Sequence, residues 1–235
     1  MTHPASGNVA LATRDLKHVW HPCTQMQDHE SVPLVPIVRG EGAWLIDAEG
    51  RRYLDGISSW WTNIFGHANP RIAAALADPA STLEHVIFAG FTHEPAIELA
   101  EKLVAITPPG LDKVFFADNG SSAVEVALKM SFHYWLNQGH GEKTRFIALS
   151  GSYHGETLGA LSVSDVALYR KTYAPLLLTP FLTPSPDAYE GEPGENPQQT
   201  AARRLRELRT LLESHAHETC AVIVEPLVQC AGGMR

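Results

Sequence analysis

Apolar and polar positions change their spacing along the chain, and the change separates two kinds of structure. Residues 33–55 alternate over short runs broken by turns, which predicts small strands with a hairpin turn at residues 47–50. Farther along, apolar runs of a strand's length are separated by segments with helical spacing. Strands separated by helices predict an α/β domain with a mostly parallel sheet and helices on both faces, in which ligands bind at the carboxyl ends of the strands.

Capping residues and apolar periodicity predict where the individual elements lie. Asn69 as N-cap and Pro70 at the first helical position predict a helix that ends near residue 77. Further helices are predicted over residues 94–105, 121–136 and 197–214, and strands over residues 113–117, 145–149 and 220–224. Residues 1–17 are expected to form a mobile arm, and residues 176–197, rich in proline, glycine and acidic side chains, a surface excursion.

Composition and charge exclude several classes of function. Hydrophobic residues make up 44% of the chain and charged residues 19%, which predicts a packed core. The net charge of −8 disfavours nucleic acid as a partner, and an anionic ligand would need local help from a helix N-terminus. The start of the chain does not resemble a secretory signal, and no apolar run reaches the length of a membrane span. We therefore expect a cytoplasmic protein without a membrane contact.

Cysteine and histidine patterns give no sign of a metal. The three cysteines at positions 23, 220 and 230 form no CxxC pair, and no HExxH pair occurs. We expect neither a disulfide framework nor a metal site.

The strongest local signal for a ligand is the turn from Asn119 to Ser122, between a predicted strand and a predicted helix. Gly120 permits a close approach of the backbone, and Ser121 adds a hydroxyl beside the free N–H groups of the helix start. These features predict a phosphate-binding turn. Alternatively, Ser121 only caps the helix. A nucleotide-binding domain with the same turn is a further alternative, although no Gly-x-Gly turn and acidic residue lie at Rossmann spacing.

Three other segments contain side chains suited to a site, each with a structural alternative. Tyr153, in the loop after the strand at residues 145–149, could lie flat against a planar ligand, or it could simply be half-buried. Trp60, next to a second tryptophan, could line a substrate pocket, or it could belong to the core or a subunit interface. Glu225 follows the last strand and could direct its carboxylate into the site, although this signal alone is weak.

Taken together and in order, six segments resemble the class III (ω-type) aminotransferases of fold type I, which use pyridoxal phosphate (PLP). The resemblance covers most of the chain, from about His18 onward. The segments are WHPCTQM, LDGISSWWTNIFGHANP, HVIFAGFTHEPAIELAEKL, FFADNGSSAVEVALKM, SGSYHGETLGALSV and VIVEPLVQCAGGM. The resemblance implies the N-terminal portion only of that fold: an arm and short strands of the small domain over residues 1–58, and the first part of the large PLP-binding domain over residues 59–235. The chain is therefore expected to be truncated.

The resemblance also implies roles for matching residues. Gly120 and Ser121 would hold the cofactor phosphate, and Tyr153 would lie beside the cofactor ring and the substrate. Trp60 would line the substrate pocket, and Glu225 would occupy the position of a carboxylate near the active site.

One position departs from the family pattern. His-Pro-Cys-Thr replaces the His-Pro-Tyr-Thr of well-known members, whose tyrosine recognises substrate by stacking on the adenine of the amino donor. Cys23 has no ring and is only a weak hydrogen-bond donor, so the departure bears on which donor is used.

The implied activity needs residues outside this segment. The family's Schiff-base lysine and the aspartate that faces the pyridine nitrogen are expected after Arg235, so no catalytic residue is assigned within the chain. Within the class, the segments are most similar to members that transfer an amino group from S-adenosylmethionine to 8-amino-7-oxononanoate in biotin biosynthesis, as homodimers. The alternatives are another class III ω-aminotransferase or a non-catalytic fragment.

Overall fold

The computed structural model describes residues 7–234, which divide into two compact units. One unit ends at Glu101 and the other begins at Lys102, within a helix. This division does not test the predicted small and large domains at residues 1–58 and 59–235, which remain a prediction. No helix among residues 7–234 is long and apolar enough to cross a bilayer.

The first unit is built on a small antiparallel sheet. Its strands are β1 (Ile37–Glu41), β2 (Trp44–Asp47) and β3 (Arg52–Leu54), in that spatial order. Trp44 pairs with Leu54, so the turn between β2 and β3 falls where the sequence predicts it. Helix α1 (Asn8–Asp15) and a 3₁₀ helix (Met26–Glu30) come before the sheet. A single turn α2 (Ser58–Trp61), helix α3 (Pro70–Ala80) and helix α4 (Glu94–Ile106) follow it, and α4 contains the division between the units.

Two of these helices confirm the predictions from the sequence. Asn69 caps α3 by accepting hydrogen bonds from the backbone amides of Arg71 and Ile72, with Pro70 in the first turn. Helix α4 begins at the predicted residue, Glu94.

The second unit is a parallel sheet covered by helices. In chain order its elements are α5 (Gly120–Asn137), β4 (Arg145–Leu149), α6 (Leu158–Ser162), α7 (Ala167–Tyr173), β5 (Phe181–Thr183), α8 (Pro197–His215) and β6 (Thr219–Ile223). Strand β4 lies in the centre, parallel to both β5 and β6. Parallel pairing here confirms the predicted α/β class.

The core of this unit lies between the sheet and α5. Leu128 of α5 packs against Phe146 and Ala148 of β4 and against Cys220 of β6. Trp135 closes the cluster, and its indole N–H donates a 2.7 Å hydrogen bond to the carbonyl of Cys220. Helix α5 is therefore held against the sheet along its length, which fixes the position of its N-terminus.

The predicted mobile arm at residues 1–17 is wrong for its described part, and residues 1–6 lie outside the described residues. Residues 8–15 form α1, and the buried side chain of Asn8 attaches this helix to the sheet: it donates a 2.7 Å hydrogen bond to Asp47 and accepts one from the amide of Ala48. These contacts are between residues about forty positions apart, so local polarity did not indicate them.

The predicted strand at residues 113–117 is also wrong. An apolar run becomes a strand only where a neighbouring strand pairs with its backbone, and no described strand lies beside this one. Phe115 and Phe116 are accordingly exposed, at 67% and 39%.

The predicted surface excursion at residues 176–197 contains a strand of the core. Strand β5 pairs with β4, and Thr183 at its end is buried. With three residues between prolines, β5 is too short to show an alternating pattern, so the prediction missed it.

Candidate functional site

The start of α5 has the geometry of an anion-binding turn. Asn119 is the N-cap: its side chain accepts a 2.9 Å hydrogen bond from the amide of Ser122, and its carbonyl accepts from the amide of Ala123. The capping role considered for Ser121 is therefore wrong. Within residues 7–234, the amides of Gly120 and Ser121 have no hydrogen-bond partner, and an added Cβ on Gly120 would meet open space. Two free amides thus lie at the positive end of an 18-residue helix.

The loop after β4 lies directly against this turn. The hydroxyl of Ser121 accepts a 3.3 Å hydrogen bond from the amide of Glu156. Gly155 is buried with φ +124°, and a Cβ there would overlap the Ser121 side chain. Only glycine therefore permits this approach of the loop to Ser121. The structure brings together two segments that the sequence separates by more than thirty residues.

Tyr153 lies in the same loop and is held from three sides. Its hydroxyl donates a 2.9 Å hydrogen bond to Glu156, and its ring makes an edge contact with Tyr169 at 5.7 Å. Its amide donates to Glu225 Oε2 at 2.8 Å, while Glu225 Oε1 accepts from the amide of Cys230 at 3.3 Å. Glu225 thereby joins the loops that follow β4 and β6. Its carboxylate lies beside Tyr153.

Two further contacts lock these loops together, and the sequence reasoning missed both. Gln229 is buried, and its Nε2 donates a 3.2 Å hydrogen bond to the carbonyl of Ser150. Gly232 approaches the carbonyl of Gly151 so closely that no Cβ would fit. Glycines in both loops indicated that each loop could be approached closely. The sequence did not indicate that these two loops contact each other.

Glu125 is a third missed residue and lies one helical turn after Ser121. Its Oε1 accepts hydrogen bonds from the amides of Gly159 at 2.7 Å and Ala160 at 3.3 Å. The carboxylate therefore occupies the N-terminus of α6, the helix that follows the Tyr153 loop. The spacing of four residues from Ser121 on one helix face was a signal for this placement.

His154 is the titratable group most affected by burial in this site. Burial lowers its pKa, and the nearby carboxylate of Glu225 only partly opposes the shift. Its Nε2 is buried, and no hydrogen-bond partner for it exists among residues 7–234. Burial therefore favours the neutral form of His154, next to Tyr153.

Trp60 and Cys23 belong to the other unit. Trp60 is 62% exposed, which excludes burial in the core of this chain. Cys23 is exposed and unpaired, in a turn with φ +57°. The structure thus brings Gly120, Ser121, Tyr153 and Glu225 into one cluster, and places Trp60 and Cys23 in the unit that ends at Glu101.

Comparison with known proteins gives one family. Residues 25–235 match the family model of the class-III aminotransferases. The curated adenosylmethionine-8-amino-7-oxononanoate aminotransferase of Helicobacter pylori is 48% identical over 95% of this chain and 49% of its own length. The protein of that name from Geobacter sulfurreducens is 47% identical over 94% of this chain and 49% of its own length. The chain spans about half the length of the curated relatives it matches.

Comparison with solved structures leads to the same family. The adenosylmethionine-8-amino-7-oxononanoate aminotransferase of Methanocaldococcus jannaschii matches with a TM-score of 0.83 and 38% identity, over 95% of this chain and 48% of that one. An ω-transaminase of Pseudomonas jessenii, solved in complex with PMP, matches with a TM-score of 0.85 and 29% identity, over 95% of this chain and 50% of that one. The chain therefore belongs to the class-III aminotransferases, a PLP-dependent family of fold type I.

Proposed function

We propose that the full-length protein transfers an amino group from S-adenosylmethionine to 8-amino-7-oxononanoate, giving 7,8-diaminononanoate for biotin biosynthesis. The observation that carries this proposal is the contact of the Tyr153 loop with Ser121, in a chain 48% identical to a relative of that activity. The contact brings an aromatic side chain and a pair of free helix amides into one place. A homodimer in the cytoplasm is part of the proposal, as the family resemblance implies.

The residues at the start of α5 fit the phosphate of PLP. The free amides of Gly120 and Ser121 and the Ser121 hydroxyl offer donors to a dianion, and the helix dipole favours negative charge there. These local donors oppose the repulsion from a chain of net charge −8. When bound, PLP supplies an electron sink for removal of the α-proton of the amino donor.

The residues of this chain would bind and orient the cofactor and the substrate. Tyr153 would lie against the cofactor ring, in an orientation set by Glu225 at its amide and by Glu156 at its hydroxyl. Burial lowers the pKa of His154, so its neutral form is favoured and it would add no positive charge beside Tyr153. Trp60 would line the substrate pocket. We expect the lysine that binds the cofactor beyond residue 235.

The test is a product assay with the full-length protein, both substrates and PLP, analysed by mass spectrometry for diaminononanoate. Ser121→Ala should weaken PLP binding by about tenfold, since it removes one hydrogen bond to a charged group. Ser131→Ala is the matched control, because that hydroxyl donates within the same helix to the carbonyl of Ala127. Absence of product with both substrates would refute the proposed activity, and equal PLP affinity in both variants would refute the phosphate site.

A second candidate is a class III ω-aminotransferase with a different amino donor, favoured by Cys23. An (S)-enantioselective ω-transaminase from Thermomicrobium roseum matches this chain with a TM-score of 0.87 and 32% identity. Turnover of 8-amino-7-oxononanoate with lysine or alanine, but not with adenosylmethionine, would support this candidate. Under the leading proposal, Cys23→Tyr restores the family's ring and should lower the KM for adenosylmethionine, with no effect on the KM for the acceptor.

A further inference from the structure

The two adjacent tryptophans of the first unit lie on a left-handed turn. Residues Ser58, Ser59, Trp60 and Trp61 have φ of +49°, +47°, +67° and +63°. L-residues with side chains rarely adopt this conformation singly, and four in succession form in effect one turn of a left-handed helix. Such a conformation persists only where surrounding contacts enforce it, and it occurs preferentially at functional sites.

Asp55 supplies the enforcing contact. Its Oδ2 accepts a 2.8 Å hydrogen bond from the hydroxyl of Ser59 and a 2.7 Å hydrogen bond from Nε2 of His67. The side chains of Asp55 and His67 are only 5% and 14% exposed, so water competes little for the bond between them, whereas the Ser59 bond lies at the surface. One oxygen of the Asp55 carboxylate thus connects the turn to His67, which follows it in the chain.

His67 is itself fixed by the sheet. Its amide and carbonyl exchange hydrogen bonds of 2.8 and 3.1 Å with Gly42, just after β1. A Cβ on Gly40 would lie 2.5 Å from the Cβ of His67, so glycine is needed for the histidine to pack there. The amide of Asp55 donates to the carbonyl of Ala43 at 2.9 Å. Both members of the Asp55–His67 pair are therefore attached to the turn that connects β1 and β2.

The indoles presented by this turn are exposed. Trp60 is 62% and Trp61 61% accessible, although tryptophans contribute much to a core when they are buried. A strained backbone that is braced from one side and presents two large apolar faces on the other is unexpected for a purely structural turn.

We propose that Asp55, held by His67, is the positioning residue of a specificity wall: through Ser59 it fixes Trp60 and Trp61 so that they receive the aliphatic chain of the amino acceptor. Flat indole faces suit a long alkyl segment, because they bury apolar area without needing polar partners. This inference rests on the proposed function, which assigns Trp60 to the substrate pocket.

The test uses Ser59→Ala and Asp55→Asn in the full-length protein. Both variants should change the near-ultraviolet circular dichroism of the tryptophans. Both should raise the KM for 8-amino-7-oxononanoate by about tenfold, the change expected when a hydrogen bond to a charged group is lost, while kcat changes less than about twofold. The matched control is Ser81→Ala, whose hydroxyl donates to the carbonyl of Asp78 at the end of α3. It should change neither quantity.

A double-variant cycle separates positioning from general damage. If Ser59 acts through the two indoles, Ser59→Ala should raise the KM no further in a background that carries both Trp60→Ala and Trp61→Ala. A tenfold increase there as well, or a dichroism spectrum unchanged in both Ser59→Ala and Asp55→Asn, would overturn the inference. If the wild-type protein makes no diaminononanoate, the proposed function fails and the acceptor assignment fails with it. The dichroism of Ser59→Ala and Asp55→Asn then still decides whether the turn is held through Asp55.

Discussion

At the scale of single residues, Asp47 shows how one buried carboxylate joins distant parts of the first unit. It accepts hydrogen bonds from the side chains of Asn8 at 2.7 Å, Arg51 at 2.7 Å and Tyr53 at 2.9 Å. Burial alone would raise the pKa of Asp47, but the bonds from Arg51 and Asn8 outweigh it and hold the pKa well below its usual range. The lowered pKa favours the ionised form of the carboxylate in the folded protein.

Asp47→Ala should lower the melting temperature by on the order of 5 °C, because it leaves several buried donors without an acceptor. The measurement is thermal unfolding by circular dichroism. Asp28→Asn, on the exposed 3₁₀ helix, serves as the control and should leave the melting temperature unchanged. A melting temperature equal to wild type in Asp47→Ala would show that this cluster does not stabilise the unit.

Gly155 gives a second test at the residue scale. Gly155→Ala adds a methyl group that overlaps Ser121 at a backbone φ of +124°, so we expect a loss of about 1–3 kcal/mol in the free energy of unfolding and weaker PLP binding. Urea unfolding and a PLP titration measure the two effects. Gly194→Ala has a comparable φ of +87° but nothing within 4 Å, so it separates strain from overlap. If both variants lose the same PLP affinity, contact with Ser121 is not the cause.

At the scale of elements, Glu125 couples two helices. It lies on α5 and binds the amides that begin α6, and no side chain on α6 replaces it as an N-cap. Glu125→Ala should destabilise the protein by about 1–3 kcal/mol, since two partly buried amides lose their acceptor.

Glu125→Gln keeps an oxygen acceptor and should lose less than half as much stability. The measurement is urea unfolding, with the exposed Glu213→Ala of α8 as the control. PLP affinity should fall in Glu125→Ala, because the Tyr153 loop ends where α6 begins. Equal stability of the alanine and glutamine variants would contradict a capping role.

At the scale of the whole molecule, carboxylates with a lowered pKa link stability to pH, and Asp55 and Glu195 are two of them besides Asp47. Hydrogen bonds to Asp55, first from the amide of Ser59 and then from His67, lower its pKa from 3.8 to about 2. Hydrogen bonds from Arg203 lower the pKa of Glu195 from 4.5 to about 2. Both groups bind protons more weakly in the folded state than in the unfolded state, so each contributes stability above about pH 4.5 that is lost as the pH falls toward 2.

We therefore expect the urea midpoint of the full-length protein to fall steadily between about pH 4.5 and pH 2. The double variant Asp55→Asn, Glu195→Gln should be less stable at neutral pH and show a shallower slope in that window. Glu213→Gln, on an exposed face, should leave the slope unchanged. A slope equal to wild type in the double variant would show that other carboxylates dominate the acid transition.

The sequence by itself determined those elements whose signals are local. The capping residue Asn69 and the proline after it predicted α3, periodic apolar positions predicted α8, and an apolar run predicted β4. The family could also be recognised, because it depends on the order of six short segments. These features need only the chemistry of neighbouring residues.

Only the tertiary structure decided what depends on distant partners. Asn8 is ordered because Asp47 accepts its hydrogen bond, and residues 113–117 are not a strand because no described strand pairs with them. Gly155 contacts Ser121, and Glu125 of α5 accepts hydrogen bonds from the amides that begin α6. Asp55, together with His67, holds the left-handed turn. Each of these contacts joins residues that are separated along the chain. Hydrogen bonds and close approaches of this kind are set by the path of the chain in space, which the spacing of residues along the sequence does not specify.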